Sequence, residues 1–168
     1  MMIPQKVADR LKEQVNNENF NVWLYTAMAW HLERMNLKAF AKWFFVQANE
    51  EKGHAEKIAN YLNDQGGTVR LKSLGEPKND FKTVEEIFQT ALEHEKKVTK
   101  QVHEILALSR SENDPATENF IEWKVAEQVE EVSSIEYILA VVKTASTQRD
   151  FFMLEGKIAK IVAKREEK

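Results

Sequence analysis

The segment of this sequence that decides the fold is GGTVRLKSLGEPKNDFK, residues 66–82. It contains Gly75, Pro77 and an Asn79-Asp80 pair, which are residue types that interrupt helices and favour turns. Long stretches with helical periodicity lie on both sides of it. The segment is too long to be a tight turn between adjacent antiparallel helices. It therefore predicts a long crossover between two pairs of helices.

Outside this segment the sequence has the 3.6-residue periodicity of helices in five stretches. The predicted helices span residues 4–34, 37–65, 83–110, 114–143 and, with a weaker pattern, 147–164. Together with the crossover they predict an all-α fold: a four-helix bundle with one long crossover plus a short C-terminal fifth helix, with residues 1–168 forming one domain. The fifth stretch has no obvious partner within one monomer, so we expect it to be buried between subunits.

Residues that start and stop helices support these bounds. Asn36 is expected to cap the second helix, and Gly66 to end it. Thr83 followed by Glu86 is a capping-box signature for the third helix. Asp114, followed by proline, is expected to cap the fourth helix.

Composition excludes several classes of protein. The chain has 5 glycines and 3 prolines, too few for a turn-rich β-protein. Its net charge of −3, with both signs interspersed, provides no basic stripe for nucleic acid. It has no cysteine, so a metal site must use oxygen and imidazole ligands. No apolar run approaches a membrane span and no signal region is evident, so we expect no membrane association and a cytoplasmic location.

Each of the four long helices has polar residues in the middle of its apolar face. These residues are Glu18 in the first helix, Glu51 and His54 in the second, Glu95 in the third, and Gln128 and Glu131 in the fourth. The predicted apolar seam of the fourth helix is Ile121, Val125, Gln128, Val132, Ile135 and Leu139. Glu131 then lies beside Gln128.

These polar residues are expected to meet in one slice of the interior, since each lies within about three residues of its helix midpoint. Buried carboxylates repel one another and are costly unless compensated. No lysine or arginine lies on the predicted seams. A pair of divalent cations would provide the compensation, and oxygen-rich ligation with one imidazole suits iron or manganese.

A simpler interpretation applies to each feature alone. A single Glu-x-x-His on a charged helix is usually a solvated surface pair. The coincidence across four helices favours a metal site. Two other functions remain open: a di-iron or di-manganese oxidase or peroxidase without storage, and an iron-free helical structural module.

Four segments resemble the ligand segments of bacterial non-haem ferritins. They are NNENFNVWLY (16–25), QANEEKGH (47–54), LEHEKKVT (92–99) and IEWKVAEQVEE (121–131). The resemblance implies a ferritin-like bundle in which Glu18, Glu51 and His54 bind one iron. Glu51 would bridge to a second iron held by Glu95 and Glu131.

Two further residues have implied roles beside this pair. Gln128 would lie next to the second iron and its bound oxygen species. Tyr25 corresponds to the tyrosine near the family's centre, where it is an electron donor or hydrogen-bond partner. A buried aromatic residue with a satisfied hydroxyl group is an equally good interpretation of Tyr25.

The resemblance also implies a third iron position made by Glu50, Glu127 and Glu130, with Glu131 shared. A solvated acidic helix face explains those three carboxylates equally well. Haem is not expected, because Lys52 stands where haem-binding relatives have methionine. The fourth helix also lacks the second Glu-x-x-His of those relatives.

The function implied by the resemblance is iron storage with ferroxidase activity. The chain would oxidise Fe(II) with O2 or H2O2, with two irons per subunit and a third position beside them. The Fe(III) mineral would be stored in a homo-oligomeric cage of twenty-four subunits.

Overall fold

The computed structural model describes residues 2–167, which form five helices and no β-strand. The helices are α1 (Gln5–Arg34), α2 (Lys38–Asp64), α3 (Val84–Ser111), α4 (Pro115–Val142) and α5 (Gln148–Glu166). The predicted all-α bundle with one crossover and a C-terminal helix is confirmed. Each helix begins and ends within two residues of the predicted bounds.

The bundle consists of two helical pairs, α1 with α2 and α3 with α4. A short turn joins the helices within each pair, and the segment 65–83 connects the pairs. The buried Asn16 of α1 holds this crossover: its Nδ2 donates to the Arg70 carbonyl at 3.0 Å, and its Oδ1 accepts from the Lys72 amide at 2.8 Å. A side-chain amide thus replaces the backbone bonds that an irregular segment cannot make with itself.

Two of the predicted helix starts have the expected caps. Asp114 accepts a hydrogen bond from the Thr117 amide at 3.1 Å, and Thr83 accepts one from the Glu86 amide at 3.0 Å. At the Thr83 cap, a capping box would have the Glu86 carboxylate accept from the Thr83 amide. It accepts instead from the amide of the preceding residue, Lys82, at 2.6 Å.

The predicted N-cap role of Asn36 was wrong. Asn36 has φ 59°, the left-handed conformation that asparagine tolerates, and its amide bonds back to the Glu33 carbonyl at 3.0 Å. It therefore ends α1. The start of α2 is capped instead by the distant Glu155, whose carboxylate accepts from the amides of Ala39 (2.9 Å) and Phe40 (3.2 Å).

The expectation that α5 lacks a partner within the monomer was also wrong. This helix packs against α2 of the same chain, where Ile158 and Val162 are buried. Phe152 and Met153 remain exposed on its other side. Periodicity shows that a helix has an apolar face, but it does not identify the surface that receives that face.

The apolar interior consists of two clusters. One cluster contains Phe40, Phe44 and Phe88, and the other contains Leu11 and Ile58. Each of the helices α1 to α4 has buried polar side chains near its middle. In the sequence of each helix, these residues lie between residues of one cluster and residues of the other. No helix within residues 2–167 combines the length and apolar character needed to cross a membrane.

Candidate metal centre

The polar residues from the four long helices meet in the interior. Their side chains form two fully buried groups of candidate ligands, each with ligand atoms within 4.8 Å of one another, and a third such group joins His54 and Glu131 to the exposed Glu127. The first group is Glu18, Glu51 and His54, and the second is Glu51, Glu95 and Glu131. All five residues are buried, and Glu51 belongs to both groups. The structure therefore brings together the residues that were predicted to bind a metal pair, with Glu51 between them.

Amide groups orient the carboxylates of the first group. Asn21 Nδ2 donates to both Glu18 Oε2 and Glu51 Oε2 at 3.1 Å. The Asn21 oxygen lies 2.6 Å from His94 Nε2. Burial lowers the pKa of His94 to about 4, so its ring is neutral and Nε2–H donates to Asn21. Gln14 Nε2 donates to Glu18 Oε1 at 2.7 Å. Sequence reasoning missed Gln14, Asn21 and His94.

The second group has its own set of donors. Gln47 Nε2 donates to Glu51 Oε1 at 3.1 Å and to Glu131 Oε2 at 2.5 Å. Gln128 Nε2 donates to Glu95 Oε2 at 2.9 Å. The buried Gln128 Oε1 has no hydrogen-bond partner within residues 2–167, so this acceptor is available to a ligand.

Tyr25 lies directly beside the second group. Its hydroxyl group donates a hydrogen bond to Glu95 Oε1. Burial and the neighbouring Glu95 raise the pKa of Tyr25 well above its ordinary value. Tyr25 is therefore a neutral phenol that donates to Glu95, and this geometry fits both the hydrogen-bonding role and a buried aromatic residue with a satisfied hydroxyl group.

The centre also contains a cation that the sequence analysis missed. The side chains of Lys124 and Glu18 are both fully buried, and Lys124 Nζ lies 3.8 Å from Glu18 Oε2. The same Nζ lies 2.7 Å from His54 Nδ1. The expectation that no lysine or arginine points into this interior was therefore wrong.

This error came from the assumed seam of α4. Val125 and Val132, which were placed on the seam as apolar residues, are only half-buried. The buried seam runs instead through Ile121, Lys124, Gln128, Glu131 and Ile135, with alternating steps of three and four residues. Lys124 precedes Gln128 by one helical turn and was therefore detectable by spacing. A lysine side chain is usually exposed, but four buried carboxylates favour a buried cation at this position.

Lys124 and protons together compensate the buried carboxylates. Burial raises the pKa of Glu18 and Glu131 well above their ordinary values and that of Glu95 to about 7. Burial would also raise the pKa of Glu51, but that pKa is lowered overall, and the neighbouring Lys124 charge is the largest cause of the lowering. Burial lowers the pKa of Lys124, but the surrounding carboxylates more than reverse this effect, so Lys124 remains an ammonium group.

We expect metal affinity to rise with pH, because a cation must displace the protons held by Glu18, Glu95 and Glu131. Between about pH 6 and about pH 8, Zn²⁺ affinity should rise up to about tenfold per pH unit for each proton displaced. Calorimetric titrations in two buffers with different ionisation enthalpies would count these protons. An affinity that is independent of pH, without proton release, would contradict this charge assignment.

The carboxylates of the predicted third position surround a cavity of about 330 Å³ next to the second ligand group. Glu50, Glu127, Glu130, Glu131, Ser134 and Arg165 line it. The Arg165 guanidinium group pairs with Glu50 and donates to Gln47 Oε1 at 2.8 Å. Glu127 lies 4.0 Å from His54 Nε2. The structure therefore gathers these acidic residues beside the buried centre, with an arginine from α5 among them.

Comparisons with known proteins agree with this architecture. Residues 8–145 match the family model described as "Ferritin-like domain". The bacterial non-heme ferritin of Staphylococcus aureus (strain USA300) is 36% identical over 135 residues, which cover 80% of this chain and 81% of that protein. The corresponding protein of Staphylococcus haemolyticus is 35% identical over 135 residues, with the same coverage of both chains.

Solved structures extend the similarity to almost the whole chain. An open pore ferritin from the archaeon Archaeoglobus fulgidus has a TM-score of 0.92 and 34% identity, covering 95% of this chain and 98% of that chain. An engineered closed form of the same ferritin has a TM-score of 0.90 and 34% identity, covering 94% and 96%. The family match includes every helix that contributes to the buried centre, and it shows that this chain belongs to the ferritin-like domain family.

Proposed function

We propose that this protein stores iron by oxidising Fe(II) with O2 or H2O2 and retaining the product as Fe(III) mineral in a homo-oligomeric cage. The observation that carries the proposal is the pair of ligand groups that share Glu51. The relatives named bacterial non-heme ferritin support iron as the metal.

The donor set suits iron. Four carboxylates and one imidazole provide hard oxygen ligands and one nitrogen ligand, and the chain has no cysteine that would favour a thiolate site. In this proposal the first iron is held by Glu18, Glu51 and His54. The second is held by Glu51, Glu95 and Glu131. Two neighbouring Fe(II) ions can each give one electron to the oxidant, and the carboxylates stabilise the higher charge of Fe(III).

The surrounding residues position these ligands. Asn21 connects Glu18 with Glu51 and Gln47 connects Glu51 with Glu131, so the shared carboxylate is held from both sides. Tyr25 holds Glu95 and is placed to act as an electron donor. Gln128 presents its free Oε1 beside the second iron. The acidic cavity at Glu50 and its neighbours serves as the third iron position.

Apolar surface supports assembly from copies of this chain. Trp23 and Trp30 on α1 are 58% and 62% exposed. With Leu74 and Pro77 of the crossover they line a surface pocket of about 620 Å³. Exposed large aromatic residues are enriched at protein interfaces. We assign this surface to contacts between subunits of a cage of twenty-four.

Iron retention separates storage from oxidation alone. After aerobic loading with Fe(II) and gel filtration, the protein should elute as a large particle that contains far more iron than two ions per chain. Size measurement by light scattering and iron counting by atomic absorption would test this result. A protein-free sample controls for iron that precipitates and elutes without protein. A monomer or dimer that retains about two irons per chain would reject storage and favour a di-iron oxidase or peroxidase.

A further inference from the structure

Lys124 is a buried cation that the proposed iron chemistry does not use. Its ammonium group lies 2.7 Å from His54 Nδ1 and 3.8 Å from Glu18 Oε2. His54 and Glu18 both belong to the first ligand group. The positive charge of this side chain is therefore already located where the first metal would bind.

The contact with His54 excludes simultaneous metal binding at the same atom. An imidazole nitrogen that accepts a hydrogen bond uses its only lone pair, which is also the pair that it would donate to a metal. The other ring nitrogen, Nε2, is directed towards Glu127 at 4.0 Å. A divalent ion bound through Nδ1 must therefore displace Lys124 Nζ, and it must also overcome the repulsion between the two positive charges.

The second ligand group has no such obstacle. Its donors to Glu95 are Tyr25 and Gln128, and its donor to Glu131 is Gln47, all of them neutral groups. The charge of Lys124 partly offsets that of Glu95 and Glu131, the two carboxylates of this group that are not shared with the first group. The two metal positions are thus chemically unequal in the folded chain.

We infer that Lys124 is an internal counter-cation that occupies the first metal position, so that the resting centre binds one divalent ion tightly, at Glu51, Glu95 and Glu131. Binding at the first position is weaker, because it requires the lysine side chain to move. This inference rests on the proposed function for its choice of metal. It explains why a lysine is tolerated in full burial: its charge is needed until iron replaces it.

Zinc binding tests the inference without any oxidation chemistry. In calorimetric titration the assembled wild-type protein should bind one Zn²⁺ per chain tightly and a second more weakly. In Lys124→Met, which keeps an unbranched side chain but removes the charge, affinity at the first position should rise by about 10- to 100-fold, the range over which a neighbouring group changes metal affinity. Lys143→Met, immediately after the C-terminal end of α4 and with a side chain that is 51% exposed, should bind like the wild type.

A crystallographic measurement keeps the test valid if Lys124→Met does not fold. Anomalous scattering from wild-type crystals soaked with limiting Zn²⁺ should show one peak, between Glu51, Glu95 and Glu131. Equal peaks at both positions, or identical titrations of wild type and Lys124→Met, would overturn the inference. These outcomes are independent of iron retention, so failure here leaves the storage proposal intact, and failure of storage leaves the zinc result interpretable.

Discussion

Replacing Glu51 by alanine is expected to abolish rapid Fe(II) oxidation. Glu51 is the only residue shared by the two tightly buried ligand groups within residues 2–167, Glu18–Glu51–His54 and Glu51–Glu95–Glu131, so its loss removes a ligand from both proposed iron positions. Loss of a mere supporting residue typically costs about 10- to 100-fold in activity, and we expect a larger loss for the shared ligand. Stopped-flow absorbance after mixing with Fe(II) in air would measure the initial rate.

Two further variants control for effects on folding and charge. Glu56→Ala removes a carboxylate from the same helix at a side chain that is 65% exposed, and it should oxidise Fe(II) at the wild-type rate. Glu51→Gln keeps the volume of the side chain but loses the charge that compensates Lys124, and it should be as inactive as the alanine variant. An alanine variant that retains the wild-type rate would refute the proposed role of Glu51.

The double substitution Trp23→Glu and Trp30→Glu is expected to prevent cage assembly and with it iron retention. Both side chains are exposed in the isolated chain, so the fold itself should tolerate the change. In an assembled interface, however, each carboxylate would be buried without a partner, at a cost of several kcal/mol per ion. A closed assembly repeats this cost in every subunit. Sedimentation velocity should show small species, and gel filtration after loading should show little retained iron.

The matched control is the double substitution Trp23→Phe and Trp30→Phe, which keeps apolar rings at both positions. It should assemble and retain iron. Initial Fe(II) oxidation should remain in both double variants, because neither tryptophan belongs to the ligand groups. A glutamate variant that still forms the large particle would show that this surface is not the subunit interface. Truncation of the chain at Thr147 would test cage assembly less specifically, because it also removes the core residues Ile158 and Val162.

Much of the fold was predictable because it depends on local patterns. Helical periodicity and the turn residues of 66–82 located the four long helices and the crossover. Periodicity also placed Glu18, Glu51 and Glu95 on buried faces at mid-height. Their convergence then follows from packing helices of similar length side by side.

The error at Lys124 marks the limit of such reasoning. Spacing alone allowed either Lys124 or Val125 on the buried seam, and hydrophobicity favoured the valine. The choice depends on charges contributed by three other helices, which one helix pattern does not contain. Similarly, Asn36 resembles an N-cap locally, whereas α2 is capped by Glu155 from a helix more than a hundred residues later.

The sequence by itself determined the all-α bundle, its long crossover and the carboxylates that meet inside it, because these features arise from periodicity and turn chemistry within short stretches. Only the tertiary structure decided that α5 packs on α2, that Arg165 reaches Glu50, and that Lys124 lies against His54 and Glu18. Those contacts join residues far apart in the chain, and their energies depend on which charges and apolar surfaces the complete fold brings together.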